Sequence, residues 1–211
     1  MLKRAIGVAT AASLALAVWG GSVFAADEPK GDVYTLSTCP LSGKPLGETP
    51  VVKAIDGREV RFCCEGCAGK SETEKEKILS KVDELVKADQ APHYPQVKCM
   101  VMEEDDLVKG ETSDIVYKNR LVSFCCDDCI EDFKKDPAKF MAKLDKDTIE
   151  VQKPNYGLTT CAVSGEALGD KAIDVVLANR LVRLCCEGCK KELEKNPAKY
   201  ISQVDAATKK S

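Results

Sequence analysis

Twelve cysteines dominate the chemistry open to this 211-residue chain, which carries a single His and a single Trp. They sort without remainder into three sets: Cys39, Cys63, Cys64 and Cys67; Cys99, Cys125, Cys126 and Cys129; Cys161, Cys185, Cys186 and Cys189. Each set reads as one early cysteine, a gap of 23 or 25 residues, then Cys-Cys-x-x-Cys. Where that late cluster opens a helix, Cys63 and Cys67 stand at i and i+4, and Cys64 and Cys67 at i and i+3. Their sulfurs then converge near the helix N-terminus, where amide dipoles favour thiolate over thiol. The early cysteine, swung over by the intervening residues, completes a set of three or four sulfurs. Such a set suits Zn²⁺ or Cu⁺ and excludes Mg²⁺ and Ca²⁺.

Two other uses of the same thiols stay open on the sequence. In an oxidising compartment four cysteines per repeat can form a disulfide scaffold, with Cys64 bonded to Cys67 and Cys39 to Cys63. The Cys-x-x-Cys can also serve a thiol–disulfide oxidoreductase, but it lies after a strand hairpin rather than in a βαβ unit. Asp127 and Asp128 inside the second cluster are expected to oppose thiolate formation there. A fourth reading keeps zinc as a purely structural ion in an interaction repeat.

Other residues keep the register of the cysteines. Tyr34, Tyr94 and Tyr156 precede the early cysteine, and Arg58, Arg120 and Arg180 precede the double cysteine, each by five positions. CPLSGKPLG in the first copy matches CAVSGEALG in the third, whereas the second has CMVMEEDDLVKG. This is a tandem repeat. Between the cysteines each copy places two short strands around Asp56-Gly57, Lys118-Asn119 or Ala178-Asn179. Val60 and Phe62 alternate with Arg61, as Val182 and Leu184 do with Arg183, so one strand face is expected to be buried. The arginines at 58, 120 and 180 are placed at an exposed strand start, and the tyrosines are read as packing anchors. A helix follows each cluster. Asp136-Pro137 and Asn196-Pro197 start a second helix in copies two and three, with Asp or Asn as cap and Pro as first residue. In copy one, residues 71–88 read as one continuous helix with Ile78, Leu79, Val82 and Leu85 on its apolar face.

The run FCC-x-x-C followed by DPAKF or NPAKY, with a hairpin between it and the early cysteine, resembles the TRASH/YHS group of treble-clef-like modules. That group is associated with heavy metals, often copper. The resemblance spans residues 34–90, 94–147 and 156–207. It implies Cys39, Cys63, Cys67, Cys99, Cys125, Cys129, Cys161, Cys185 and Cys189 as motif ligands, with Cys64, Cys126 and Cys186 as additional fourth ligands. Copy one departs from the pattern by lacking the Pro-Ala-Lys segment, and copy two by lacking Ser-Gly after its first cysteine.

Residues 1–25 read as a signal peptide: Lys3 and Arg4, an apolar run too short to span a bilayer, and Val23-Phe24-Ala25 at the cleavage site. The protein is therefore expected to be periplasmic or secreted, with no membrane association after cleavage. A net charge of −3 without a basic block argues against nucleic acid as partner. One His and no Gly-rich phosphate loop leave no candidate catalytic site, so the chain is read as a non-enzyme. Met100, Met102 and His93 are Cu⁺-compatible types but are assigned to packing and linker. The acidic run Glu103–Asp106 is assigned to a solvated loop. Aromatic residues at only 5% leave modules of about 60 residues with thin cores. The expectation is an α+β chain of three tandem Cys-rich modules, each a β-hairpin followed by a helix, at 26–90, 91–152 and 153–211. Each holds one thiophilic ion, copper or zinc and up to three in all, exchanged with a metal-transport or metal-resistance protein.

Overall fold

The computed structural model describes residues 33–209. The expected signal peptide lies outside them. Among the described residues the chain is α+β, built from one unit repeated three times. In each unit a loop bearing the early cysteine leads into a two-stranded antiparallel hairpin and then into helices. The hairpins are β1 (Val51–Ile55) with β2 (Arg58–Phe62), β3 (Ser113–Tyr117) with β4 (Arg120–Phe124), and β5 (Ile173–Leu177) with β6 (Arg180–Leu184). Val51 faces Phe62, Ser113 faces Phe124 and Ile173 faces Leu184 in the same register. Both central turn residues have positive φ in every hairpin: Asp56 and Gly57, Lys118 and Asn119, Ala178 and Asn179. That is the type I′ arrangement, whose twist matches that of the strands.

The helices are α1 (Glu65–Ala68) and α2 (Lys75–Gln90); α3 (Asp127–Lys135) and α4 (Pro137–Gln152); and α5 (Glu187–Lys195) and α6 (Pro197–Thr208). Asp136 caps α4 by accepting from the Lys139 amide N–H at 3.2 Å, with Pro137 in the first turn. Asn196 begins α6 without such a side-chain bond. The helix of the first copy starts at Lys75 rather than 71. Its buried face is Ile78, Val82, Val86 and Gln90, with Leu79 and Leu85 only half-buried. Each unit has its own small core: Val60, Phe62, Ile78 and Val82 in the first; Val122, Phe124, Phe133 and Leu144 in the second; Val182, Leu184, Leu193 and Val204 in the third. Burying such a side chain contributes roughly 1.5–3 kcal/mol, so each core is modest.

The second strand of each hairpin is largely covered on both sides, which corrects the expected alternation there, whereas β1 keeps Val52, Lys53 and Ala54 exposed and Arg183 stays half-buried. Arg61, Leu121, Ser123 and Leu181 are buried along with their inward neighbours, because the adjacent unit closes the second face. Arg58, Arg120 and Arg180 are likewise not at exposed strand starts. Each pairs with an aspartate of a helix in its own unit: Asp83, Asp145 and Asp205. Each also reaches into a neighbour. Arg58 donates to Asn119 Oδ1 at 3.0 Å, Arg120 Nη2 to Asn179 Oδ1 at 3.0 Å, and Arg180 Nη1 to Asp89 Oδ2 at 2.9 Å.

Glutamines at the helix ends repeat the theme. Gln90 donates to the Asn119 carbonyl and accepts from the Leu121 amide. Gln152 does the same for Asn179 and Leu181. Arg61 donates to the Lys195 and Glu194 carbonyls, joining the first unit to the third. All three pairs of units therefore touch, and the units close on one another. Buried hydrogen bonds to charged groups contribute about 1.5–3 kcal/mol each, so this polar seam supplies what the thin cores do not.

Candidate metal centres

The early cysteine of each unit sits in a tight loop with its amide tied to a carbonyl five or six residues on. Cys39 donates to Lys44 O, Cys99 to Asp105 O and Cys161 to Glu166 O, at 2.8, 2.9 and 2.6 Å. Gly43 and Gly165 close the first and third loops at φ +67° and +75°, donating back to the Cys39 and Cys161 carbonyls. That backbone region is open to glycine at little cost. The second loop lacks this glycine and is one residue longer. It turns instead on a bond from the Asp105 amide to Met102 O.

The hairpin then delivers the second cysteine at its end, and the third lies in the first turn of α1, α3 or α5. The result is three triads: Cys39, Cys63 and Cys67; Cys99, Cys125 and Cys129; Cys161, Cys185 and Cys189. Within each triad all sulfurs lie within 4.8 Å of one another. Cys63 and Cys67 Sγ are 3.9 Å apart, and Cys125–Cys129 and Cys185–Cys189 are both 3.6 Å apart. Sulfurs bonded at about 2.3 Å to one tetrahedral ion stand roughly 3.8 Å apart, so the donor set fits a thiophilic ion in size and chemistry. The early cysteines are almost fully buried, which holds one wall of each centre rigidly.

The fourth cysteine of each set falls outside this mutual contact. Cys64, Cys126 and Cys186 are exposed and cap the helix starts. Cys126 and Cys186 each stand beside two triad members, and Cys64 beside Cys63. Cys126 Sγ is 3.5 Å from Cys129 and 3.9 Å from Cys125, and Cys186 is 3.7 Å from Cys189 and 3.8 Å from Cys185. Cys64 is 3.9 Å from Cys63. All twelve are free thiols, their sulfurs well beyond the ~2.05 Å of a disulfide. Among the described residues the strands pair antiparallel, in two-stranded sheets, unlike the βαβ setting of a thioredoxin-type Cys-x-x-Cys.

Acidity divides the thiols in a repeated pattern. Burial opposes ionisation of Cys39 and Cys161. Donors from Ser42 or Ser164 and from nearby backbone amides outweigh it and bring both to about 6. Cys99 is lowered too, against its burial, by the amides of Cys125, Met102 and Val101. The exposed Cys64, Cys126 and Cys186 are lowered by the amide of the third cysteine at the helix start. Burial, with the neighbouring thiols, pushes Cys67 and Cys189 up to about 12, and Cys129 upward as well. For Cys126 the expected opposition from Asp127 and Asp128 is not seen, and Ser113 Oγ holds Asp127 Oδ1 at 2.6 Å.

Several other residues differ from their expected places. Asp105 is not only a loop acid: its Oδ2 lies 3.6 Å from Cys125 Sγ. Glu166 Oε2 lies 3.4 Å from Cys185 Sγ. Ser42 and Ser164 hydroxyls stand 3.3 and 3.4 Å from Cys63 and Cys185. Sequence spacing missed these contacts, although the shared Ser-Gly after the early cysteine was a usable signal. Met102 is exposed and Met100 buried, while His93 lies 3.9 Å from Asp205 in the seam, away from any centre. The tyrosines act as anchors: Tyr34 donates to Thr38 O, and Tyr94 and Tyr156 accept from the Ser123 and Arg183 amides. No helix of the described residues is long and apolar enough to cross a membrane. Comparison with known proteins found no matching family model, curated protein or solved structure.

Proposed function

We propose that this chain is an exported protein, periplasmic or secreted, that binds thiophilic metal ions as a buffer, carrier or detoxifier and catalyses no reaction. Copper(I) and zinc(II) are the ions whose chemistry matches thiolate donors. The observation that carries the reading is the threefold meeting of a buried cysteine with two cysteines from a distant stretch, every sulfur within 4.8 Å of its partners. The TRASH/YHS resemblance in the sequence points the same way. A carrier role in place of a purely structural ion is supported by the polar seam, whose bonds join the units without passing through a centre. It is also supported by the exposed Cys64, Cys126 and Cys186 beside each triad, where a thiol or metal-transport partner has access.

The test is elemental analysis with thiol counting on reduced protein purified without oxygen. Three metal equivalents, removable by a competing chelator while the far-UV circular dichroism persists, support the reading. Unfolding on metal removal would make the ions structural. Twelve cysteines consumed in six disulfides in protein taken directly from its compartment would overturn metal binding as the function.

A further inference from the structure

The three centres differ in what faces their sulfurs. Lys44, Asp105 and Glu166 are counterparts, since the carbonyl of each accepts from the early cysteine's amide. In the second unit the thiol of Cys125 donates to Asp105 Oδ2 at 3.6 Å, and in the third Cys185 donates to Glu166 Oε2 at 3.4 Å. In the first unit that position is an exposed lysine, and the Ser42 hydroxyl stands 3.3 Å from Cys63, as Ser164 does from Cys185 in the third at 3.4 Å. A metal ion replaces a thiol proton. Each carboxylate reaches one sulfur of its triad from outside the mutual 4.8 Å contact of the three, and the same Cys125 and Cys185 sulfurs also face Cys126 and Cys186 at 3.9 and 3.8 Å.

Charge points the same way. Three thiolates around a monovalent ion leave two negative charges, and an adjacent carboxylate would make three. Around a divalent ion the carboxylate restores only two, and its oxygen is a normal zinc ligand. In the first unit the same loop position carries an exposed lysine and no carboxylate.

We propose that the three centres are not equivalent: Asp105 and Glu166 add a carboxylate oxygen to the second and third triads and commit them to a divalent ion of the zinc type. The first triad, all sulfur, takes Cu⁺. This rests on the metal-binding reading above. It makes the chain a holder of two kinds of ion, with the selecting residue at one loop position.

The experiment titrates the full reduced chain with Zn²⁺ and, separately, with Cu⁺, each against a competing chelator. The expected wild-type result is two tight zinc equivalents and a third at least tenfold weaker, with the tightest copper equivalent at the first unit. The double variant Asp105→Ala/Glu166→Ala should weaken the two tight zinc equivalents at least tenfold. Lys44→Glu should tighten the third, a gain that a misfolded protein cannot mimic. Three equal zinc equivalents in the wild type, or a double variant that binds zinc unchanged, would overturn the inference. So would loss of zinc in Cys126→Ser and Cys186→Ser with none in the carboxylate variants, because the fourth ligand would then be sulfur. A wild-type chain that binds neither ion when reduced fails the parent reading instead, so the two failures are distinct.

Discussion

Asn179, at the tip of the third hairpin, accepts hydrogen bonds from Arg120 of the second unit through Nε at 3.3 Å and Nη2 at 3.0 Å. Its amide nitrogen donates to Leu121 O at 2.9 Å and to Gln90 Oε1 at 3.2 Å, so one side chain joins all three units. Asn119 plays the matching part between the second and first units, bonding Arg58 and Glu59 O. In the first hairpin the position is Gly57, which has no side chain to offer, and Arg180 turns to Asp89 instead.

Asn179→Ala should therefore destabilise the whole chain by about 3 kcal/mol. The sum combines lost hydrogen bonds to a buried arginine with the penalty for alanine at φ +57°. Urea denaturation reads this directly. A loss under about 1 kcal/mol would show that the units are not coupled through this tip.

Gly157 is a second point of close approach. A Cβ there would sit 2.5 Å from the Ala207 carbonyl carbon and 2.6 Å from its oxygen. Backbone cannot yield as a side-chain tip can, so Gly157→Ala should cost about 1–3 kcal/mol. It should also increase hydrogen exchange in α6 more than in α2.

The triads and the fourth cysteines should separate under mutation. Cys39→Ser should reduce bound metal from three equivalents to two, because it removes the buried member of a triad. Cys64→Ser should leave three equivalents but slow removal of the ion by a thiol chelator. Equal stoichiometric loss from both variants would place Cys64 among the essential ligands.

Metal uptake should depend on pH with a definite sign. At pH 7 Cys39 and Cys161, near 6, already lack their protons, whereas Cys67 and Cys189, near 12, still hold theirs. Binding must release the latter, so affinity rises with pH by up to about tenfold per unit for each proton released. Below about pH 6 the early cysteines must also be deprotonated, so the slope steepens. Proton release in weakly buffered titration checks this, and a pH-independent affinity between 6 and 8 would contradict it.

What the sequence disclosed was local. The hairpins were visible because Asp56-Gly57 and its counterparts sit between short apolar runs, and the start of α4 because Asp136-Pro137 is a cap with its own chemistry. The convergence of Cys63 and Cys67 followed from helical spacing. The misreadings concern groups whose partners lie in another unit or across a loop. Arg58, Arg120 and Arg180 look like solvent-facing strand ends until a neighbour's Asn or Asp is set against them. Arg61 looks outward until the carbonyls ending α5 cover it. Asp105 looked like one of four loop acids, because nothing in a linear string distinguishes the one folded toward Cys125 from Glu103, which pairs with Lys143.

The bonds from Arg61 to the Lys195 and Glu194 carbonyls bear on how such a gene can evolve. Solenoids lengthen by adding copies at an open end. Here the first and last copies already occupy each other's docking surfaces, so a fourth inserted by duplication would have to prise them apart. Variation in this architecture should accordingly accumulate by divergence of the cysteine-bearing loops, with the copy number held at three.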